Sequence, residues 1–219
     1  AQMAWDLQRF SGGRFTLGLG TQVKGQNERR FCTPWTGPAG PRLRDYVLCL
    51  RAIFKTFQDP QNPTYHAGEH YSFTMMPPMF NPGPIQNPRI PIYLAAVNKY
   101  NAALAGEMCE GVFPHPFCTP KYIRDTLLPV IESAARKAGR MLADIDIVGA
   151  PIIVTGHNKE ELEAEKKLLK RRVAFYASTR TYHPVLEAHG WKELGDRLHP
   201  MSLEGRWKEM ADLIPDEVA

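Results

Sequence analysis

The stretch Ser11-Gly12-Gly13-Arg14-Phe15-Thr16-Leu17-Gly18-Leu19-Gly20-Thr21 decides the fold. Ahead of it, Met3, Ala4, Leu7 and Phe10 recur at helical spacing, so residues 1–10 read as the end of an amphipathic helix with those four on its buried face. A glycine at position 12 or 13 supplies the left-handed residue that closes such a helix. Phe15, Leu17 and Leu19 then share one face of a short strand. Gly18 and Gly20 leave the other face bare, as happens where another backbone or a ligand comes close. The strand stops at the polar Thr21. This is one helix-to-strand step of a wound α/β protein, and its exit points toward a candidate ligand site.

The step recurs along the chain. After a long loop at 21–41, a helix is expected over 42–57, with Leu43, Val47, Leu50, Ile53, Phe54 and Phe57 on one side. Residues 58–91 hold eight of the 19 prolines. A loop this long within a compact domain reads as an insertion or lid, with a short hairpin at Tyr65–Tyr71. Ile92–Val97 is a continuous apolar run, the mark of a buried parallel strand, and an Ala-rich helix follows over 98–109. Gly111-Val112-Phe113 is another brief strand, ending at Pro114-His115-Pro116 and Phe117. Thr119-Pro120 starts a helix, threonine as cap and proline at the first position. Its buried stripe is Ile123, Leu127, Ile131, Ala134, Ala135 and Ala138, and Gly139 ends it. Pro129 is expected to kink it, because the Asp125 carbonyl loses its donor. Asp146–Thr155 contains the next strand, with Ile152-Ile153-Val154 as its core. Asn158 and Glu161 form a capping box for a charged helix over 158–177, and short helices fill 180–213.

This alternation predicts an α/β fold with a parallel sheet, either a (β/α)8 barrel or a doubly wound sheet. Only four core strands are legible, against eight in a closed barrel. The chain opens inside a helix and stops without a final strand. It therefore reads as one partial α/β domain over 1–219, a segment of a longer polypeptide.

Composition narrows the function. A hydrophobic share of 43% with 23% charge is ordinary for a globular domain. No apolar run approaches the ~20 residues of a membrane span, and the start carries no leader pattern. A cytoplasmic protein with no membrane partner is expected. The net charge of +4 suits an anionic ligand. Without a basic stripe interleaved with aromatics, no nucleic-acid partner is expected. The four cysteines lack C-x-x-C spacing, so neither a metal site nor a disulfide framework is indicated.

In parallel α/β folds the ligand lies beyond the carboxyl ends of the strands. Three exits follow: Thr21, Gln22, Val23 and Lys24; Val97, Asn98 and Lys99; His115, Pro116 and Phe117. Asn98 is placed to cap the following helix, with Lys99 in its first turn. Helix amides and the positive end of the dipole favour a phosphate there; the alternative is a solvated lysine beside an ordinary cap. His115, stiffened between two prolines, suits a general acid, a hydrogen-bond donor to a ring carbonyl, packing for a flat cofactor, or a plain structural histidine. Phe175, Tyr176 and Tyr182 either line a cavity or pack in the core. His66 and His70 are four apart but not helical, so no metal pair is expected. Glu28-Arg29-Arg30 either clamps an anion or is a solvated face. The ends following Leu19, Ala96 and Phe113 are expected to open side by side onto one cavity.

Taken together, three segments carry a family resemblance. FSGGRFTLGLGTQVKGQNERRF, Phe10 to Phe31, resembles the fourth-strand region of luciferase-like flavin-dependent oxidoreductases. PIYLAAVNKYNAALAGEMCEGVFPHPF and YASTRTYHPVLEAHGW are similar to a subgroup that uses the deazaflavin cofactor F420. The resemblance implies a (β/α)8 barrel with a long insertion, homodimeric in the full-length form, of which this chain corresponds to strands four to seven. It implies that Thr21 and Gln22 approach the cofactor ring or ribityl chain, and that Ala96, Val97, Asn98 and Lys99 hold the phosphate. Many relatives have Gly-Pro where this chain has Asn98-Lys99. The implied activity is hydride transfer between F420 and a small organic substrate, with His115 the one catalytic candidate and no metal. The alternatives are an FMN-dependent monooxygenase of the same fold and a truncated, non-catalytic relative.

Overall fold

A four-stranded sheet organises the chain, in a computed structural model that describes residues 1–218. Strand β1 (Leu17–Leu19) lies at one edge, and the antiparallel hairpin expected in the proline-rich segment is made by β2 (His66–Ala67) and β3 (Ser72–Phe73), outside the sheet. β1 pairs in parallel with β4 (Ile92–Ala96), Leu17 opposite Ile92 and Leu19 opposite Leu94. β5 (Gly111–Pro114) pairs in parallel with β6 (Asp146–Ile147), which completes the order β1-β4-β5-β6. The chain packs as two compact units. One comprises Ala1–Ala95, Tyr100–Val112 and Ile131–Ile147; the other comprises Ala96–Lys99, Phe113–Val130 and Val148–Ala219.

In the first unit, helix α1 (Gln2–Phe10) ends on left-handed Gly12 and Gly13, as read from the sequence. Its buried face is different. Ala4, Trp5 and Gln8 are inside, whereas Met3 and Phe10 are 77% and 82% exposed and Leu7 is also exposed. Partner chemistry explains the rotation. Trp5 stacks on Phe54 and meets Phe57 edge-on, and its indole donates to the Gly83 carbonyl at 3.0 Å. The Gln8 carboxamide donates to the Asn87 and Arg89 carbonyls and accepts from the Phe15 amide. A polar side chain so fully satisfied can be buried at little cost.

Residues 21–41 are not all loop, since helix α2 occupies Lys24–Arg29. Helix α3 is longer than expected, Ala39–Gln58, with Pro41 in the first turn where a missing amide costs no helical bond. Leu50, Phe54 and Phe57 from α3 join Ala4, Trp5, Ile85 and Ile90 in a core against which Phe15, Leu17 and Leu19 pack. Buried Asp45 of α3 receives the hairpin: its carboxylate meets the His66 ring at 2.5 Å and the His70 and Tyr71 amides at 2.6 and 2.9 Å.

Helix α4 runs Lys99–Met108. Thr119 caps the short helix α5 (Pro120–Tyr122) through the Tyr122 amide. The disturbance expected at Pro129 takes the form of a π-helical turn, Ile123–Leu127, just before helix α6 (Leu128–Lys137). The wider turn absorbs the hydrogen bond that proline cannot make. The strand expected over 146–155 is corrected: only Asp146 and Ile147 pair, opposite Gly111 and Val112. Among the described residues, Ile152–Val154 joins no ladder, and Ile153 is 76% exposed. An apolar run forms a strand only when a neighbour accepts its backbone.

The second unit is mostly helical. Asn158 caps helix α7 (Lys159–Ala177) on the Glu161 amide, while the Glu161 carboxylate takes the His157 amide. α7 packs with α8 (His183–Glu187), α9 (Lys192–Leu203) and α10 (Trp207–Asp212) around Ala174, Ala177, Leu186, Leu198 and Met210. Cys49, Cys109 and Cys118 are buried and free, whereas Cys32 is exposed.

Candidate functional site

The first strand exit is a tight turn. Gln22 takes a left-handed backbone conformation at φ 58°, the Thr21 hydroxyl donates to the Gln22 carbonyl, and the Asn27 carboxamide holds the Thr21 carbonyl. The bare face of β1 is explained at one glycine. A Cβ on Gly20 would stand 3.3 Å from that of Ala95, on the neighbouring strand. Around Gly18 nothing comes within 4 Å of that position. Gln22 is exposed and Thr21 half-buried.

The second and third exits meet each other. The His115 amide donates to the Ala96 carbonyl at 3.0 Å. Ala96 and Val97 are buried, Asn98 is half-buried and Lys99 exposed. The buried Tyr122 hydroxyl donates to the Val97 carbonyl at 3.0 Å, and the Asn98 carboxamide nitrogen reaches the Thr181 carbonyl at 3.2 Å. The turn Ala96–Lys99 is therefore fixed by partners from separate segments.

His115 is half-buried in an aromatic box. Its ring lies 4.7 Å from Tyr176, edge to face, and 4.7 Å from Tyr182, with Phe117 packed against both tyrosines. The Phe117 amide donates to His115 Nδ1 at 3.1 Å. An amide can only donate, so Nδ1 is an acceptor and the neutral ring carries its proton on Nε2. Burial pushes the imidazole pKa below its ordinary value, which favours that neutral form. With Nδ1 accepting, the neutral His115 ring carries a hydrogen-bond donor at Nε2. Nearby, burial pushes the Cys118 thiol and the Tyr122 phenol each up to about 12, so neither ionises at neutral pH.

Tyr122, Thr181 and Asp45 escape sequence reading. Tyr122 stands outside the apolar stripe of its helix, Thr181 contributes only a carbonyl, and Asp45 reads as a solvated helix residue. The grouping of Tyr176 and Tyr182 with His115 is long-range and has no local signal. His66 is tied to Asp45. In the run Glu28-Arg29-Arg30, Glu28 faces Lys24 at 3.9 Å and Arg30 lies over the Phe31 ring. The charges of α7 are exposed except Lys170, which is half-buried and pairs with Asp216 at 2.5 Å, and Lys166 pairs with Glu163. No described group of three or more His, Cys, Asp or Glu could hold a metal, and no described helix is long and apolar enough to cross a membrane.

The chain matches the family model of luciferase-like monooxygenases over residues 1–219. It is 37% identical over 218 residues to an uncharacterized protein of Mycobacterium tuberculosis, covering all of this chain and 64% of the relative. A putative coenzyme F420-dependent oxidoreductase of the same organism is 29% identical over 238 residues, covering 65% of its length. The chain thus spans just under two thirds of these relatives. Among solved structures, the coenzyme F420-dependent tetrahydromethanopterin reductase of Methanopyrus kandleri superposes with a TM-score of 0.78 at 19% identity, covering 99% of this chain and 62% of that one. An F420-dependent secondary alcohol dehydrogenase gives a TM-score of 0.62 at 14% identity. At such identities the likeness carries the fold, a (β/α)8 barrel of which this chain holds an open four-stranded part. By sequence and by fold, the chain belongs to the luciferase-like monooxygenase family.

Proposed function

We propose that the protein is an F420-dependent oxidoreductase that moves a hydride between the deazaflavin and a small organic substrate. Support comes from F420-dependent relatives by name and from the turn Ala96–Lys99, the observation that carries the reading. Its donor set fits a phosphate. The Ala96 and Val97 carbonyls are occupied by His115 and Tyr122, so they do not oppose an anion. Lys99 opens α4 with an exposed ammonium, and helix amides favour negative charge at that end.

When bound, F420 supplies the hydride chemistry, and the chain supplies position and charge. Ala96, Val97, Asn98 and Lys99 bind the phosphate; Thr21 and Gln22 contact the ring or ribityl chain. His115 donates Nε2–H to a carbonyl of the ring or substrate. The 58–91 segment, held to α3 through Asp45, is an insertion that serves as a lid. We assign the protein to the cytoplasm and to a homodimer of the full-length form.

Fluorescence titration with F420 and with FMN tests the reading. F420 is expected to bind and FMN to bind far more weakly. Lys99→Glu brings two units of charge change beside a phosphate, and at ~1 kcal/mol per charge pair in water this raises the F420 Kd at least about tenfold. Binding of FMN alone returns the monooxygenase reading. Binding of neither leaves the non-catalytic relative.

A further inference from the structure

We infer that Tyr122 is the positioning residue of the anion-binding turn, its hydroxyl fixing the Val97 carbonyl and thereby the direction in which the chain enters α4 at Lys99. The inference rests on the phosphate reading of Ala96–Lys99 above.

Tyr122 is 2% exposed, and its hydroxyl donates to a carbonyl whose own residue is 9% exposed. Water is excluded, so this bond is the Val97 carbonyl's means of satisfaction. Residues 96, 97 and 98 each have a partner from a different segment: the His115 amide, the Tyr122 hydroxyl and the Thr181 carbonyl. A turn held at three successive residues presents its following amides without further ordering, which favours binding. Of the three partners, only the tyrosine contributes a side chain reaching into the turn from outside.

Tyr122 is itself anchored. Its amide donates to Thr119 Oγ1 at 3.1 Å. That hydroxyl lies 2.7 Å from His189 Nε2, within hydrogen-bond distance. His189 stacks on Trp191 at 4.5 Å and 12°. The π-helical turn begins at the next residue, Ile123. A tyrosine placed by a capped, irregular helix start and spent on one remote carbonyl is placed for that carbonyl.

Tyr122→Phe keeps the ring and removes the donor. The affinities of F420 and of its phosphate-free deazariboflavin core are to be measured on the protein and on the variant, after a melting curve shows both folded. The inference predicts that Kd for F420 rises about tenfold and that Kd for the core changes less than about twofold. Equal weakening of both ligands makes Tyr122 a packing residue and overturns the inference, as does an unchanged F420 affinity. If Tyr122→Phe does not fold, Thr119→Ala loosens the same anchor and must show the same selective loss. Failure of the unsubstituted protein to bind F420 overturns the phosphate reading itself, an outcome distinct from the other two.

Discussion

Removing the Asp45 carboxylate is expected to release the hairpin of the proline-rich segment 58–91. Asp45 is buried on α3 and accepts from three donors: the His66 ring at 2.5 Å and the His70 and Tyr71 amides at 2.6 and 2.9 Å. Hydrogen bonds to a buried charge are worth about 1.5–3 kcal/mol each, but Asp45→Ala also relieves the carboxylate's desolvation, and half-exposed hairpin amides recover water. The net cost is about 3 kcal/mol, which in a protein this size lowers the melting temperature by about 6–12 °C. Asp45→Asn fares little better, because one oxygen cannot serve all three donors and its amide faces others. The pH dependence follows from the same contacts. Burial alone would raise the Asp45 pKa, but the His70 amide, the His66 ring and the Tyr71 amide bind the ionised form and hold it below the ordinary carboxylate value. This stabilisation is therefore complete above the ordinary value near 3.8 and is lost as pH falls through the lower folded value. Thermal melts of the protein and of Asp45→Ala from pH 7 down to 3 measure it, with limited proteolysis reporting cleavage within 58–91. A melting shift below about 1 °C at pH 7, with segment 58–91 still resistant, would refute the reasoning.

Further outcomes follow from close contacts and buried rings. Gly68→Ala should mimic Asp45→Ala in the same melts, because a Cβ there would collide with the Asp45 carboxylate. Gly106→Ala should cost about 1–3 kcal/mol by urea denaturation, since its Cβ would strike the Ile131 backbone carbonyl, which cannot yield as a flexible side chain does. His115, His183 and His189 all have pKa values lowered by burial, so the unfolded chain binds protons more readily than the folded one. Stability is therefore full above about 6.5 and declines as pH falls through that value, and His115→Phe should flatten the decline between pH 7.5 and 5.5 in thermal melts.

What was legible in the sequence was local. The Gly12-Gly13 closure, the Thr119 cap, the Asn158 cap and the short strands at Leu17 and Ile92 each need only neighbouring residues, and each is present. What was not legible depends on distant partners. Helical spacing put Met3 and Phe10 inside α1, yet Trp5 and Gln8 win that face because Phe54, Phe57 and the carbonyls of Gly83, Asn87 and Arg89 are there to meet them. Ile152–Val154 had the apolarity of a strand without a ladder to join. At the site, the turn Ala96–Lys99 and His115 were visible as strand exits. The tyrosines around the ring and the hydroxyl behind Val97 arrive from residues 122, 176 and 182, and no spacing rule links them.

A crystal structure of the protein grown with F420 tests the central claim most directly. The account predicts the deazaflavin phosphate at the Ala96–Lys99 turn, against the start of α4, with Lys99 within ion-pair distance. A phosphate bound elsewhere, with that turn facing solvent, would contradict it.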